Sequence, residues 1–331
     1  MSFFLHGLGH FHPENAITNQ FLEDLDIGTD EQWILERVGI HSRRTVMSLD
    51  YIKETRNIDY RQAGEASMYT HAETGKIAAE MALARSGLSR ESIGMVIAGS
   101  SRPGFSSPAD ACTIAKELNM EVPSIDVNSA CTSMWAALYM LSMMQPEKLP
   151  EYILLVTPET LTTSVDYSDR SASVLWGDCT TAAVLSTKIP SEIKILNNTF
   201  ESSPAGFEKV VVPLFGHFNQ EGRTVQMFAI KKTIRCLRSI QKIFPSPGYR
   251  LHFIGHQANL RMLETVCDTC EIRKERHHTN VENYGNTGAA GAPSVLSMNW
   301  DLWSAGDEIA MVGVGSGLSW SSYVLQFGAV Q

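Results

Sequence analysis

The sequence predicts a layered α/β fold built from two halves. Apolar runs typical of buried strands alternate with longer helix-like runs along the 331-residue chain, and 44% of the residues are hydrophobic. That content is ample for a large core. Because the alternation restarts near residue 175, we expect two pseudo-duplicated halves, residues 1–175 and 176–331.

The first half contains the following elements. Short apolar runs predict strands, and longer runs with apolar residues at helical spacing predict helices. The predicted strands are residues 94–100, 124–130 and 152–160, and the predicted helices are residues 72–88 and 132–144. Residues 46–71 are polar and mixed in charge, which favours a segment inserted between core elements.

The second half repeats this alternation. Its predicted elements are strand 181–187, helix 228–244, strand 251–256 and helix 259–270. A glycine-rich passage follows, and the chain closes with two strand-like runs, EIAMVGVGSGLSW and SSYVLQF. Each half thus ends in a strand-rich α/β region.

Charge and composition exclude several classes of protein. The net charge of −9 argues against nucleic acid or an anionic membrane as the main partner, although a local basic patch can still receive an acidic ligand. No apolar run reaches the roughly 20 residues of a membrane span. The N-terminus lacks the basic region of a signal peptide, and six dispersed cysteines are typical of reduced thiols. We therefore expect a cytoplasmic protein.

Cys131 lies in the stretch DVNSACTSMW, between a predicted strand and a predicted helix. If the helix begins there, its N-terminus would stabilise the thiolate, and the Cys131 N–H would be available to a developing oxyanion. A lone cysteine at such a junction is more often a packed, inert thiol. This stretch alone leaves both interpretations open.

Two further stretches carry polar side chains at the ends of predicted elements. GHQANLRM places His256 at the end of a strand and Asn259 at the start of a helix, and NVENYGNTGAAGAPSVL places Asn286 in a glycine-rich turn before a helix. The small residues of that turn permit close backbone approach. Each residue also has an ordinary interpretation, as a hydrogen-bonded core histidine or as a turn asparagine.

Taken together and in this order, the three stretches resemble the thiolase superfamily, and most closely its ketoacyl carrier-protein synthase III members. Other segments extend the resemblance over nearly the whole chain: GLGHFHPENAITN, DEQWILERVGIHSRR, DYSDRSASVLWGDCTTAAVL and GSGLSWSSYVLQF. The resemblance implies a thiolase fold, whose two pseudo-duplicated halves form a five-layered αβαβα core. It also implies a homodimer in which the loop before Pro108 reaches the partner's pocket.

The same resemblance implies a Cys-His-Asn triad. Cys131 would take an acyl group as a thioester, while His256 and Asn286 would donate N–H groups to the enolate formed when a malonyl thioester loses CO₂. The carbanion would then attack the acyl-cysteine and release a β-ketoacyl thioester. Two backbone N–H groups, those of Cys131 and Ser316, would donate to the oxyanion. The family has a glycine at the position of Ser316, so this assignment requires that a serine tolerate the same backbone conformation.

Two departures from the family bear on the acyl group. Ser107 matches the position where acetyl-preferring relatives carry a phenylalanine that closes the acyl pocket across the dimer interface. A serine there implies a starter larger than acetyl, unless Phe105 or another ring fills the space. Segment 46–71 is longer than in the fatty-acid enzymes of the family, and it either shapes the entrance for an unusual substrate or is a neutral surface loop.

The expected substrates are thioesters of coenzyme A or of an acyl carrier protein, and no cofactor is expected. By resemblance, Trp33, Arg37 and Arg170 hold the nucleotide of coenzyme A, since a Trp–Arg pair can sandwich adenine while guanidinium charge meets phosphate. Asn259 is expected to contribute to the same substrate site.

A basic stripe offers a candidate docking face for an acidic carrier protein. Steps of 4, 3 and 4 place its four cations on one side of the predicted helix 228–244, with Arg261 expected nearby. The four cations are Lys231, Arg235, Arg238 and Lys242. A solvated helix face is an equally good interpretation, and ETVCDTCE, which follows the arginine, lacks a lysine that relatives add.

A possible zinc pattern is better explained by packing. Its residues are Cys267, Cys270, His277 and His278. The C-x₂-C-x₆-HH spacing misses the usual finger pattern, and adjacent histidines rarely ligate one tetrahedral ion well. A helix would place the two cysteines on one packed face, so we expect no metal site.

Alternative activities exist within the same fold. Condensation and cyclisation of two β-ketoacyl thioesters, giving dialkylresorcinol or cyclohexanedione-type products, would suit segment 46–71 and Ser107. Acyl transfer without decarboxylation commonly goes with loss of the asparagine, and non-catalytic paralogues with loss of the cysteine or histidine. The presence of Cys131, His256 and Asn286 therefore favours a condensing enzyme, in fatty-acid initiation or in specialised metabolism.

Overall fold

The computed structural model describes residues 2–244 and 251–328. Its strands are β1 (Phe3–Phe11), β2 (Asn15–Thr18), β3 (Ser42–Thr45), β4 (Ile93–Ala98), β5 (Ser124–Asp126), β6 (Tyr152–Glu159), β7 (Cys179–Ser186), β8 (Ile193–Ser202), β9 (Val210–Val211), β10 (Asn219–Gln220), β11 (Leu251–Gly255), β12 (Glu308–Gly315) and β13 (Ser319–Phe327). Its α-helices are α1 (Asn19–Asp24), α2 (Glu31–Arg37), α3 (Leu49–Thr55), α4 (His71–Ser86), α5 (Asp110–Glu117), α6 (Ser133–Ser142), α7 (Arg170–Ser173), α8 (Gly222–Ile243), α9 (Leu260–Cys270), α10 (Val281–Tyr284) and α11 (Gly291–Met298).

The first half of the chain supplies five strands of a nine-stranded sheet. β4 lies between β5 and β6 and is parallel to both. Beyond β6, β7 is antiparallel to β6, and β1 is antiparallel to β7. The spatial order is therefore β5-β4-β6-β7-β1, and the carboxyl ends of the three parallel strands lie at one edge.

The second half repeats this order, which confirms the predicted duplication. β11 is parallel to β12, and β13 and β8 follow as antiparallel strands. A single parallel bridge between Phe253 and His277 stands in the place of β5. The halves join where β1 pairs with β8. Because β7 pairs with strands of the first half, the boundary between the two halves lies between Ser186 and Ile193. The sequence placed this boundary earlier, at residue 175.

Helices form three layers around the two halves of the sheet. α6 contacts β6, β8 and β13, while α11 contacts β1, β7, β11 and β12, so both lie between the halves. Their apolar side chains, including the fully buried Trp135, belong to one central cluster. α4 and α5 cover the outside of the first half, and α8 and α9 cover the outside of the second. This is the predicted αβαβα core.

The predicted elements are present with shifted ends. The strand predicted over 124–130 stops at Asp126, because the Asn128 and Ser133 side chains accept hydrogen bonds from the next backbone N–H groups and turn the chain. The helix predicted over 228–244 begins six residues earlier, at Gly222, with a first turn that is exposed and polar. β8 was not predicted, because its second half, NNTFES, has no apolar run.

Segment 46–71 is anchored in the fold more firmly than its polar composition suggests. Met47 and Ile52 are buried in the same apolar cluster as α8 and α9. The Asn57 amide donates to the backbone oxygens of Thr163 and Val165. These anchors hold the segment against the strand ends of the first half. In the described part of the chain, no helix has both the length and the apolar character that crossing a membrane requires.

Candidate active site

The duplicated topology brings six residues from corresponding positions to one place. Cys131 lies two residues before α6 and Asn286 lies five residues before α11, so the two central helices each begin near the site. The strands add residues at or just after their carboxyl ends. For β4, β6, β11 and β12 these residues are Ser101, Glu159, His256 and Ser316.

Cys131, His256 and Asn286 line one cavity with a volume of about 500 Å³. The three side chains are almost fully buried, with 7%, 5% and 6% of their surface exposed. The structure therefore brings the predicted triad residues together from three distant segments. Trp33 and Arg37 line the same cavity.

Cys131 lies in a 3-10 turn, Ala130–Thr132, rather than at the first residue of an α-helix. Burial raises the pKa of its thiol to about 12, and the Glu159 carboxylate adds to the rise. The Ser101 hydroxyl and the backbone N–H groups of Cys131 and Ser316 act in the opposite direction. The backbone N–H groups at the start of this region thus favour the thiolate, but desolvation outweighs their effect on the thiol pKa.

His256 follows β11 directly, and its backbone N–H donates to the oxygen of Val312. Burial lowers the pKa of the imidazole to about 4. Its Nδ1 is buried without a hydrogen-bond partner among the described residues. The side chain is thus neutral near pH 7, and it lines the cavity.

Both backbone polar groups of Asn286 are hydrogen-bonded. Its N–H donates to the backbone oxygen of Leu175, and its backbone oxygen accepts from the N–H of Gly177. Its side-chain Oδ1 accepts from the N–H of Gly288, which leaves the Nδ2 amide as the donor group. Gly288 has φ +58°, and a methyl group there would lie 2.6 Å from Glu159 Oε1. The glycine is therefore required both by the backbone and by the close approach.

Ser316 follows β12 and does not require a left-handed backbone, since its φ is not positive. Its hydroxyl donates to the oxygen of Val210 at 2.5 Å. Its N–H lies close enough to the Cys131 thiol to lower the thiol pKa. A serine thus fits this backbone position, and two backbone donors stand beside the sulfur.

Ser101 and Glu159 were missed by the sequence reasoning. Ser101 Oγ lies 3.8 Å from Cys131 Sγ and donates to Glu159 Oε1 at 2.8 Å. Glu159 is 1% exposed, and burial raises its pKa to about 7. A carboxylate at the end of the apolar run YILLVTPET was the available signal, since charged residues are rarely buried without a partner.

The cavity mouth is basic and aromatic. The guanidinium groups of Arg37 and Arg170 lie over the Trp33 ring, 4.7 and 4.9 Å from its centroid. Asn259 caps α9 through its side chain, which accepts from Met262 N, and also lines the cavity. Arg223, at the start of α8, lines the mouth as well and was not predicted.

Ser107 and Phe105 do not reach the Cys131 cavity of their own chain. Both are exposed, Phe105 by 59%. Phe105 instead borders a second cavity, of about 570 Å³, between segment 46–71 and α5. Within its own chain, then, Phe105 lies away from the Cys131 cavity, and whether it or another ring fills the acyl pocket of a partner chain stays a prediction.

The four cations of the predicted docking stripe are all exposed on one side of α8. Arg235 pairs with Glu201 at 3.2 Å, and Arg238 donates to the oxygen of Thr269. Arg261 pairs with Glu264 at 3.0 Å. The depression beside Arg261 is lined by four carboxylates, which offset much of the positive charge of the arginine. The four residues are Glu23, Asp30, Glu31 and Glu36.

The residues of the zinc-like pattern have separate packing roles. Cys267 and Cys270 are buried in the apolar cluster beneath α8 and α9. His277 stacks on Phe253, and His278 is hydrogen-bonded to His252 at 2.8 Å. These surroundings agree with the packing interpretation of the two cysteines.

Known proteins match the chain along most of its length. A family profile described as 3-oxoacyl-[acyl-carrier-protein (ACP)] synthase III matches residues 125–204, and its C-terminal companion matches residues 251–327. A β-ketoacyl-[acyl-carrier-protein] synthase III of Clostridium perfringens (strain SM101 / Type A) is 31% identical, with 97% of this chain and 98% of the relative covered. The enzyme of that name from Oceanobacillus iheyensis is 28% identical, with the same coverage.

A solved structure gives the same picture. The 3-oxoacyl-[acyl-carrier-protein] synthase III of Aquifex aeolicus VF5 matches with a TM-score of 0.86 and 27% identity, and the match covers 98% of this chain and all of that one. The two family profiles between them include Cys131, His256 and Asn286. The chain therefore belongs to the β-ketoacyl-[acyl-carrier-protein] synthase III family, and it is an acyltransferase-type condensing enzyme with the thiolase fold.

Proposed function

We propose that the protein transfers an acyl group from a coenzyme A thioester to Cys131 and then condenses it with a malonyl thioester, with loss of CO₂. One observation carries the proposal. A thiol, a neutral imidazole and a carboxamide line one buried cavity, and two backbone N–H groups stand beside the thiol. This set contains a nucleophile and donors for both oxyanions of the reaction.

In the acylation step, Cys131 sulfur attacks the carbonyl carbon of the incoming thioester. The backbone N–H groups of Cys131 and Ser316 lie beside the sulfur, where the tetrahedral oxyanion develops. Donors that are already oriented lower the barrier without reorganisation of water. Coenzyme A then leaves as a thiolate, and the acyl group remains on the enzyme.

In the condensation step, loss of CO₂ from the malonyl thioester produces an enolate. Neutral N–H donors suit this step, since His256 is uncharged near pH 7 and Asn286 presents its Nδ2 amide. The enolate carbon attacks the acyl-cysteine carbonyl, which releases a β-ketoacyl thioester and frees the sulfur. The donors act on charge that exists only during this step.

The cavity mouth suits the nucleotide end of coenzyme A. Arg37, Arg170 and Arg223 are exposed there and offer charge to its phosphates, in spite of the net charge of −9. An adenine that stacks on Trp33 replaces one of the two guanidinium groups now covering the ring. No cofactor is needed, because the thioesters themselves supply the leaving group and the carbanion.

A test of covalent transfer uses the other cysteines of the chain as controls. Wild-type protein is mixed with acyl-CoA thioesters, and intact-protein mass spectrometry follows the added acyl mass. We expect the adduct in Cys112→Ala, which removes an exposed free cysteine, and its loss in Cys131→Ala. Retention of the adduct in Cys131→Ala, or no adduct on the wild type with any chain length, would contradict the proposal.

We also propose that the starter acyl group is larger than acetyl and that two copies of the chain form the complete acyl pocket. The support is the small Ser107 side chain on an exposed loop, which resembles the family loop that enters the partner's pocket. Ser107→Phe should shift the preference toward acetyl-CoA, while Ser106→Phe, one residue away on the same exposed loop, should not. An unchanged chain-length profile in Ser107→Phe would contradict this part.

A further inference from the structure

We propose that Ser101 and Glu159 carry the proton of the Cys131 thiol. Glu159 receives it through the Ser101 hydroxyl when Cys131 is acylated, and returns it when condensation frees the sulfur. The inference rests on the proposed function, because it concerns the protonation of the same cysteine. Ser101 and Glu159 both belong to the first half, and neither is a member of the triad.

The geometry supplies a continuous path from sulfur to carboxylate. Cys131 Sγ lies 3.8 Å from Ser101 Oγ, and Ser101 Oγ lies 2.8 Å from Glu159 Oε1. A serine hydroxyl donates one proton and accepts others. While it donates to ionised Glu159, its oxygen can still accept from the S–H group of Cys131, as a transfer requires.

Glu159 is held firmly in this position. Its Oε1 also accepts from the N–H groups of Ser101, at 3.1 Å, and Ala289, at 2.9 Å. Gly288 leaves room for the carboxylate, since any side chain there would overlap it. One buried acid thus joins the loop after β4, the end of β6 and the turn that follows Asn286.

The thiol needs such an acceptor. Its pKa of about 12 leaves almost no thiolate at neutral pH, and His256, with a pKa of about 4, is a weak base. The pKa of Glu159, at about 7, matches the range in which a general base is most effective. Among the described residues, His71 and Cys179 are further titratable side chains that interact electrostatically with this carboxylate.

The proton balance closes over one cycle. In acylation, the S–H proton moves to the Ser101 oxygen as the Ser101 O–H proton moves to the Glu159 carboxylate. Sulfur bonds to the acyl carbon, and coenzyme A leaves as a thiolate that takes a proton from solvent. In condensation, the enolate carbon displaces sulfur as a thiolate, and Glu159 returns the proton through Ser101. The acid is therefore neutral while the malonyl carboxylate occupies the cavity.

Rapid-quench measurement of single-turnover acylation between about pH 5.5 and 8.5 tests the relay. We expect the wild-type rate to rise through an inflection near pH 7. Glu159→Gln keeps the amide oxygen that accepts from Ser101 and Ala289 but is not basic. It should acylate about 10²-fold more slowly, without the inflection. Glu275→Gln, which removes an exposed carboxylate, is the matched control.

Ser101 variants keep the test independent of any folding defect at Glu159. Ser101→Ala breaks the path and should reproduce the slow, flat profile, whereas Ser101→Thr retains a hydroxyl and should recover a large part of the rate. If Glu159 acts only as a nearby negative charge, Glu159→Gln will lower the thiol pKa and speed alkylation by iodoacetamide. The relay requires slower alkylation at pH 7.

The two proposals fail in different ways. If the wild type takes no acyl group on Cys131, the proposed function falls. If it does, and Glu159→Gln or Ser101→Ala acylates at the wild-type rate with the wild-type pH profile, the relay is overturned while the proposed function stands.

Discussion

Each half of the molecule places a polar side chain just before its central helix, but the local structure at that position differs between the halves. In each half a 3-10 turn leads into the central helix, over Ala130–Thr132 before α6 and over Gly288–Ala290 before α11. Each turn contains a left-handed residue, Ala130 at φ +47° and Gly288 at φ +58°. In the first half, Cys131 lies inside the turn, whereas in the second half Asn286 precedes it.

The surroundings differ as well. The first half sets a carboxylate, Glu159, and a hydroxyl, Ser101, next to its reactive residue. The corresponding strand ends of the second half carry His256, which is neutral, and Ser316, which offers a backbone N–H. Under the proposed function, the first half would carry the acyl group and its proton, while the second half would lend one oxyanion donor, the Ser316 N–H, and would stabilise the enolate.

The largest expected separation of the two halves comes from Asn286→Ala. Loss of the carboxamide removes a donor to the enolate, so CO₂ release and condensation should fall about 10²- to 10³-fold. Acylation of Cys131 should stay close to the wild-type rate. Asn283→Ala, at an exposed position of the preceding helix, is the control. An equal loss of both half-reactions would show that the labour is not divided in this way.

The two left-handed residues offer a matched pair of stability measurements. Gly288→Ala adds a methyl group 2.6 Å from Glu159 Oε1 and 2.9 Å from Leu161 Cδ1. We expect the free energy of unfolding to fall by about 3 kcal/mol, from overpacking together with left-handed strain. Ala130→Gly removes strain but adds backbone freedom, so its effect should stay within about 1 kcal/mol. Urea unfolding compares them, and equal effects would contradict the difference between the turns.

Carrier-protein docking would extend the second half's role to its outer layer. Lys231→Glu combined with Arg238→Glu reverses two exposed charges on α8. The KM for an acidic carrier-protein thioester should rise about fivefold, while the KM for the coenzyme A thioester stays unchanged. Lys274→Glu reverses an exposed charge outside this helix and serves as control. Equal effects on both substrates would argue against α8 as the docking face.

Ser316→Gly should have the smallest effect. It introduces the glycine that the resemblance implies at this position and removes the hydrogen bond from the Ser316 hydroxyl to the oxygen of Val210. We expect a loss of about 1 kcal/mol in the free energy of unfolding and near-normal turnover, because the backbone N–H remains. A large drop in turnover would mean that the hydroxyl itself takes part in the reaction.

The sequence predicts the fold and the triad residues because both depend on long motifs. Apolar periodicity located most of the strands and helices that carry the duplication, and Cys131, His256 and Asn286 stand in stretches that resemble a known family. Ser101 and Glu159 were not predicted, since neither lies in a distinctive motif and their pairing exists only after β4 and β6 align. The high pKa of the Cys131 thiol also depends on three-dimensional burial, which local sequence does not reveal.

The most direct test of the divided labour is to trap the acyl-enzyme in a second-half variant. His256→Ala, mixed with acyl-CoA and malonyl-carrier protein, is followed by intact-protein mass spectrometry and peptide mapping. We expect the acyl adduct to form on Cys131 and to persist, while the wild type consumes it. An adduct that never forms, or that disappears as fast as in the wild type, would contradict the assignment of acyl transfer to one half and enolate formation to the other.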